Sequence, residues 1–319
     1  RRGGNITEAA RAWQSGPSRL LRPAAPGVTM AAMELLRVGV IGQGRSGYGI
    51  HVRALEALPD RYRVVAAADP IPERTREVEG AAGGVGYRDW RELVARDDLD
   101  LVVVASPSHL HVPMARAALE AGHHVLCDKP AARRASDVDG LIETSRRVGR
   151  LYAVFQQSRF APYFRKVSEV IASGVLGRIV MIKIAFNSFS RRWDWQTLQE
   201  YDGGSLLNTG PHPMDQALQL LGSDAMPEVF CHLDRANTFG DAEDFAKVLL
   251  RLPGRPLVDV EISCCDAYPR YTYHIQGEYG GLSGDMNQLA WKAYRRSEAP
   301  PQRLRRDPLE GRVWCSERR

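Results

Sequence analysis

The stretch VGVIGQGRSG, residues 38–47, decides the fold of this 319-residue chain. It joins a short apolar strand, Leu36–Ile41, to a segment whose apolar residues recur at helical spacing. In such a unit Gly42 permits a tight turn, Gly44 lets a diphosphate approach the backbone, and Gly47 lets the helix pack on the strand. The N–H groups at the helix start then attract the diphosphate. The stretch predicts a dinucleotide site that also includes Arg45 and Ser46.

Asp69 ends the next predicted strand, Tyr62–Ala68, and lies 22 residues after Gly47. A ribose-binding acid is expected about 20 residues after such a turn. Its carboxylate can accept hydrogen bonds from both ribose hydroxyls and would repel a 2′-phosphate, so NAD is predicted and NADP is disfavoured. Arg74 and Arg76 lie nearby and can soften that preference. The alternative is a strand–helix turn with a solvent-exposed aspartate.

Strands and helices alternate over residues 36–150, which predicts a doubly wound parallel sheet. From about residue 151 the pattern changes to two helices and several consecutive strands with short turns, typical of an α+β domain with an open-faced, mainly antiparallel sheet. We therefore predict a dinucleotide-binding Rossmann domain at residues 34–150 and a substrate and oligomerisation domain at residues 151–319. The predicted strands of the second domain are Arg178–Phe186, Glu228–Leu233, Phe245–Leu252, Leu257–Ser263 and Tyr271–Gly277.

The composition excludes several classes of protein. Hydrophobic residues make up 44% and charged residues 25%, which is ordinary for a globular protein, and no apolar run approaches the roughly 18 residues of a membrane span. The net charge of +5 comes from the two ends, so a nucleic-acid-binding face is not predicted. Five cysteines without C-x-x-C spacing indicate a reducing cytoplasm rather than disulfides or zinc. No metal site is expected.

The first residues differ from the rest. Residues 1–29 hold five arginines and one glutamate, and lack a strong apolar period. They are either an organelle-targeting segment or upstream sequence outside the folded protein, and the second interpretation is favoured. A disordered extension is predicted for residues 1–33, and a truncated C-terminus is possible for the equally unpatterned last residues.

Two groups of residues carry candidate chemistry. Asp128-Lys129-Pro130 closes the predicted strand His124–Cys127, and a lysine at the carboxyl end of a parallel strand points into the crevice where cofactors bind. In the second half, Asn208, His212 and Asp215 share one face if their stretch is helical. Pro211 and Pro213 imply either a helix start near residue 209 or a kink. The plainer alternative is a structural histidine.

At this point the sequence resembles the glucose-fructose oxidoreductase / inositol dehydrogenase / MocA-like family. The matching pieces are VGVIGQGRSG, the strand ending in Asp69, VVVASPSHLHVPMARAALEAGHHVLCDKPAA, QQSRFAPYF with a later GVLGRI, and GGSLLNTGPHPMDQALQLLG. The resemblance implies a Rossmann domain, an antiparallel sheet used for oligomer contacts, and hydride transfer between NAD(P) and a sugar, inositol or related polyol. A homo-oligomer with a small-molecule substrate is therefore expected.

The same resemblance assigns roles to single residues. Lys129 matches the lysine of the family's E-K-P motif, with Asp128 in place of glutamate, and both are expected at the cofactor. Ser106 and Pro107 match a loop that lines the nicotinamide. His212 matches the histidine of the D-x-x-x-H motif.

Three further residues are expected at the substrate. Arg159 matches a substrate-side arginine, and Asp215 is predicted to bind the substrate. Trp193 either stacks on a sugar ring or packs in the core. The specificity loop is expected near residues 188–201.

Asn208 departs from the family, which usually has aspartate there. Since asparagine cannot take a proton, the proton is expected to move through His212, while Lys129 donates a hydrogen bond to the substrate oxygen. An unperturbed histidine pKa near 6.5 suits this base, and a nearby nicotinamide cation should lower the pKa of the lysine.

Other interpretations stay open. One is a relative that uses NAD within a glycoside hydrolysis cycle, another is a nucleotide-sensing regulator without catalysis, and a third is an inactive fragment. Among the remaining histidines, His51 is expected to pack in the first helix, and His109 and His111 to cap a helix or contact the cofactor.

Overall fold

The computed structural model describes residues 35–306, except residues 83, 224, 300 and 302, and it also describes residue 311. The predicted extension at residues 1–33 and the possible truncation at the C-terminus lie outside the described residues.

The first half of the chain forms the predicted doubly wound sheet. Its six strands run parallel in the order β3-β2-β1-β4-β5-β6. They are β1 (Leu36–Ile41), β2 (Tyr62–Ala68), β3 (Val85–Tyr87), β4 (Leu101–Val104), β5 (His124–Cys127) and β6 (Tyr152–Val154). The prediction of an α/β Rossmann architecture is confirmed. β6 lies just past the boundary near residue 150, which stays a prediction.

The strand register explains where a site can form. Ile41 pairs with Ala68 on one side and with Val104 on the other, and Val104 pairs with Cys127. The last residues of four strands therefore lie in one row, and the loops that follow them meet at one edge of the sheet. Ligands of open α/β sheets bind at this carboxyl edge.

Helices cover both faces of this sheet. Wide helical turns at Gly47–Val52 continue as the α-helix Arg53–Glu56, and the other α-helices are Arg76–Ala82, Trp90–Val94, His111–Glu120 and Ala135–Val148. One core contains Val102, Met114 and Leu141, and the core on the opposite face contains Val40 and Val103. Burial on both faces is why the central strands read as continuous apolar runs.

The second half forms a seven-stranded sheet in the order β13-β12-β11-β7-β10-β9-β8. Its strands are β7 (Ile179–Asn187), β8 (Glu228–Asp234), β9 (Phe245–Arg251), β10 (Leu257–Ser263), β11 (Tyr273–Gly277), β12 (Gly280–Gly284) and β13 (Leu289–Ala293). β7 and β10 run parallel, and the other neighbours run antiparallel. The mainly antiparallel sheet is confirmed, although its last two strands were not predicted.

Two helices, Pro162–Ala172 and Pro211–Leu221, pack on one face of this sheet. Each begins with proline, whose fixed φ and missing N–H suit a first helical turn. A separate short helix, Ser205–Asn208, precedes the second. The alternatives for this region were a helix start near residue 209 and a longer, kinked helix. The helix starts at Pro211, so the kinked helix is excluded. Within the described part of the chain, no helix is both long and apolar enough to cross a membrane.

Candidate functional site

The glycine turn after β1 has the geometry that its three glycines predict. Gly42 has φ of +85°, and a Cβ there would lie 2.5 Å from the carbonyl oxygen of Ala105. A Cβ on Gly47 would lie 1.7 Å from the carbonyl oxygen of Gly42. Both positions therefore exclude a side chain: at Gly42 the loop after β4 lies too close, and at Gly47 the turn itself does.

Gly44 is different, because a Cβ there would meet no atom within 4 Å. The protein leaves this space open beside the start of the first helix, where a side chain would obstruct an approaching diphosphate. Gln43, next to it, is 4% exposed, and its buried Oε1 has no hydrogen-bond partner. An open cradle and an unpartnered polar atom at one turn fit a bound dinucleotide.

Asp69 is held firmly at the end of β2. One carboxylate oxygen accepts from the backbone N–H of Gln43 at 2.8 Å, and the other accepts from Ile71 at 2.9 Å. The guanidinium of Arg74 lies 3.5 Å from the first oxygen. The carboxylate joins the glycine turn to the loop after β2, so the alternative of a solvent-exposed aspartate is wrong: the residue is 4% exposed.

Lys129 follows β5 and reaches across to the second half of the chain. Its Nζ donates to the backbone carbonyl oxygen of Asn208 at 2.5 Å and lies 3.4 Å from the side-chain Oδ1 of the same residue. Burial lowers the pKa of the lysine, Asp128 opposes this effect, and the charges of Arg192 and Arg45 add to it. The predicted lowering of the pKa is thus already present without a nicotinamide cation.

Asn208 is fixed by its own short helix. Gly204, at φ of +107°, precedes this helix, and the Glu243 carboxylate accepts from the N–H of Leu206 at 2.9 Å. The side chain of Gln196 donates to the Oδ1 of Asn208 at 3.0 Å. Both oxygens of Asn208 are therefore used as acceptors on the side that faces the lysine.

His212 lies in the first turn of the helix Pro211–Leu221, and its Nδ1 is 3.1 Å from the hydroxyl of Ser158. Burial, followed by the charge of Lys129, lowers its pKa to about 4, although Asp215 and Asp128 oppose the shift. The expectation of an unperturbed histidine is therefore wrong, because the ring is removed from water and faces a cation. At neutral pH the imidazole is uncharged.

Arg159 and Asp215, both predicted at the substrate, pair with each other. The arginine Nε donates to the aspartate at 3.1 Å, and a second guanidinium nitrogen completes a bidentate contact. The pairing raises the pKa of the arginine. Gln216, which is fully buried, donates to the carbonyl oxygen of Ser158 at 3.0 Å and so fixes the turn that carries both Ser158 and Arg159.

Asn208 and His212 do not share one helix, since Asn208 ends the short helix and His212 begins the next. The predicted common face is therefore wrong for Asn208, whereas His212 and Asp215 lie three residues apart in one helix. Lys129 nevertheless acts electrostatically on His212 and hydrogen-bonds to Asn208.

Asp128 is buried behind the lysine, and its carboxylate accepts from His51 Nε2 at 2.8 Å. Burial alone would raise its pKa, but the hydrogen bond and charge of His51 and the hydroxyl of Ser46 lower the pKa overall. The sequence had led us to expect that His51 only packs in its helix, but His51 also binds Asp128.

The loop after β4 is tied to the lysine turn. His111 is buried, with its Nδ1 2.7 Å from the carbonyl oxygen of Pro130 and its Nε2 2.9 Å from that of Ser106. It thus connects the Ser106-Pro107 loop to the Lys129-Pro130 turn, and it does not cap the helix. His109 instead lies with its ring edge-on to Tyr201, at 4.7 Å between centroids.

The predicted specificity loop bridges the two halves of the chain. Arg133, from the first half, donates to the carbonyl oxygen of Gln199 at 3.2 Å. Trp193 is 77% exposed, so core packing is excluded for it, and its ring meets that of Phe239 edge-on at 6.5 Å. Arg192 pairs with Asp194 at 2.5 Å.

Sequence reasoning missed several contacts of this site. His51, Ser158, Gln196 and Arg192 each touch or influence a predicted site residue. The position of His51, one helical turn after Gly47, was the only sequence signal for any of them. Among the described residues, no group of three or more histidines, cysteines and carboxylates is arranged to hold a metal ion.

Comparison with known proteins supports one family. Residues 36–156 match the model of an oxidoreductase family with an NAD-binding Rossmann fold, Gfo/Idh/MocA, and residues 164–283 match the C-terminal domain of the same family. The chain belongs to the Gfo/Idh/MocA oxidoreductase family. It is 31% identical to inositol 2-dehydrogenase 2 of Saccharopolyspora erythraea, over 79% of this chain and 73% of that protein.

Other relatives are more distant. An oxidoreductase of Schizosaccharomyces pombe is 27% identical over 70% of this chain, and the match spans 62% of the relative's length. The crystal structure of the WlbA dehydrogenase from Bordetella pertussis, in complex with NADH and UDP-GlcNAcA, has a TM-score of 0.73 and is 26% identical. That likeness covers 82% of this chain and 78% of WlbA. The chain thus spans less than two thirds of the length of the S. pombe relative.

Proposed function

We propose that this protein is an NAD-dependent dehydrogenase that oxidises a secondary hydroxyl of a sugar, inositol or related polyol. The observation that carries the proposal is the approach of Lys129 to Asn208 at 2.5 Å, with His212 within its electrostatic reach, beside the glycine turn. A base, a cation and a nucleotide cradle at one sheet edge suit hydride transfer.

The cofactor would be held by the turn after β1 and by the loops beside it. Gly42, Gly44 and Gly47 leave room for the diphosphate, with Arg45 and Ser46 between them, and Asp69 binds the ribose hydroxyls. Ser106, Pro107 and Asp128 belong to the neighbouring loops on the same edge. When bound, NAD supplies the nicotinamide ring that accepts hydride.

His212 acts as the general base. When its Nδ1–H donates to Ser158, Nε2 carries the lone pair that takes the substrate's hydroxyl proton. A base with a pKa of about 4 is weak, and it works here because Lys129 donates a hydrogen bond to the same substrate oxygen and stabilises developing negative charge. Asn208 holds the ammonium group in place.

Substrate contacts come from the second half. We propose that Arg159, Asp215 and Trp193 line the substrate side, with the arginine fixed by its ion pair. Names of relatives support the class of substrate: one is an inositol dehydrogenase, and WlbA was crystallised with UDP-GlcNAcA. We also propose a cytoplasmic homo-oligomer that uses the second sheet.

The test is a panel of inositols, sugars and sugar acids with NAD, followed by absorbance of the reduced cofactor. Net reduction of NAD with at least one polyol supports the proposal. A member of the panel that is hydrolysed without net reduction would indicate the glycosidase-like chemistry instead. A nucleotide-sensing regulator is the second candidate, favoured by Asn208 in place of a carboxylate. Such a regulator would bind NAD and leave every compound of the panel unchanged.

A further inference from the structure

A buried hydrogen-bonded pair, His51 and Asp128, lies next to the candidate lysine. His51 is 3% exposed and Asp128 is 8% exposed, and His51 Nε2 lies 2.8 Å from the carboxylate. Since an ionised carboxylate only accepts, the imidazole is the donor. The imidazole ring also packs on Phe155, at 4.4 Å between centroids, so its orientation is restricted on both sides.

This pair decides whether Asp128 carries a charge. A carboxylate in so little water would be driven to protonate, because burial penalises the charged form. The hydrogen bond from His51 is the strongest opposing influence, followed by its charge, the hydroxyl of Ser46 and the charge of His111, and together they lower the pKa of Asp128. His51 therefore supplies the two largest influences that favour the charged form of Asp128.

The charge on Asp128 reaches the site through its chain neighbour. It raises the pKa of Lys129, against burial and the positive charges of Arg192 and Arg45. Burial and the charge of Lys129 lower the pKa of His212, and Asp128 opposes this less strongly than Asp215 does. Asp128 is the largest influence that keeps the lysine protonated.

We propose that His51 is a positioning residue, which keeps Asp128 ionised and oriented so that Lys129 retains both its proton and its place against Asn208. The part of this inference that concerns the reaction rests on the proposed function. The part that concerns the state of Lys129 does not.

The experiment measures the protonation of Lys129 directly. The purified full chain is labelled with trace acetic anhydride across a pH series, and the rate of acetylation at Lys129 is followed by peptide mass spectrometry. In His51→Leu, which removes the donor, the pH midpoint for Lys129 is expected to fall by about one unit. The amide of His51→Gln can donate to Asp128, so in this variant the midpoint should return most of the way to that of the unmodified protein.

His123 provides the matched control. It is 2% exposed and its ring nitrogens lie 2.9 Å from the carbonyl oxygens of Leu99 and Val94, at the opposite edge of the sheet. His123→Leu should lower stability and leave the midpoint of Lys129 unchanged. If both leucine variants leave that midpoint unchanged, or shift it equally, the inference is overturned.

A second variant keeps the test independent of folding defects at His51. Asp128→Asn removes the charge with little change of shape, and it should lower the midpoint of Lys129 as His51→Leu does. A midpoint that does not move in Asp128→Asn contradicts the inference. If the midpoints shift as expected while no polyol is oxidised, the role of His51 stands and the proposed function fails.

Discussion

Lys129 donates to the main-chain carbonyl oxygen of Asn208 across 2.5 Å, and this contact joins the carboxyl edge of the parallel sheet to the helix before His212. The acceptor belongs to the backbone. The lysine is therefore held in place whatever side chain stands at residue 208, and the missing carboxylate changes the charge of the site more than its geometry.

That distinction predicts the effect of Asn208→Asp. A carboxylate 3.4 Å from the ammonium group should raise the pKa of both Lys129 and His212, since an opposite charge favours the protonated forms. We expect the acid limb of the kcat/KM profile to move up by about one pH unit, measured with a polyol from the panel. Asn208→Ala is the control, which keeps the backbone acceptor and should leave the limb in place.

The pH profile of the unmodified protein tests the state of His212. The neutral ring is the active form in oxidation, and its pKa of about 4 means that protonation sets in only well below neutrality. From pH 8 down to roughly 6, kcat/KM should not fall through this group. An acid limb between pH 6 and 7 that disappears in His212→Asn would show that the ring is not shifted.

Two glycines allow a matched test of the cradle. A Cβ on Gly44 or on Gly49 would meet no atom within 4 Å, so both alanine variants should fold normally. Only Gly44→Ala intrudes on the space assigned to the diphosphate, and its Kd for NAD should rise at least about tenfold. NAD affinity is measured by isothermal titration calorimetry. Equal affinity in the two variants would show that the diphosphate does not bind at this turn.

Asp69 should set the preference between the two nicotinamide cofactors. Its carboxylate would repel a 2′-phosphate, so the unmodified protein should favour NAD in kcat/KM. Asp69→Asn removes the charge and frees Arg74, which lies 3.5 Å away, to meet a 2′-phosphate. The ratio of kcat/KM with NAD to kcat/KM with NADP should therefore fall about tenfold. Asp89→Asn, at an exposed helix cap in the same domain, is the control. NADP selectivity above tenfold in the unmodified protein would contradict the assignment.

Much of the parallel-sheet half could be predicted from the sequence. Its strands are short, apolar and separated by helical patterns, and Gly42 and Gly47 mark a turn that no other residue type fits. Strand β12 was missed because Gly280, Gly281 and Gly284 read as turns, and its strand conformation comes from its neighbours in the sheet. Strand β13 is the edge strand that pairs with β12. Such neighbour effects override local propensity.

The site was predictable in its residue types and less so in its electrostatics. Lys129 and His212 follow from motif and position, but the pKa of His212 depends on burial and on a lysine 83 residues away in the chain. His51 gave no sign of its partner, because Asp128 is brought to it only by the fold. Sequence spacing carries no information about such contacts.

The central claim is that Lys129 and His212 act together on the substrate's hydroxyl, while most of the affinity for the cofactor comes from other residues. The most direct measurement compares kcat and the Kd for NAD in Lys129→Met and His212→Asn, with Lys166→Met, an exposed lysine in an ion pair with Glu169, as the control. We expect kcat to fall at least about a hundredfold in the first two variants, with the Kd for NAD near that of the unmodified protein. Unchanged turnover in either variant would contradict the account.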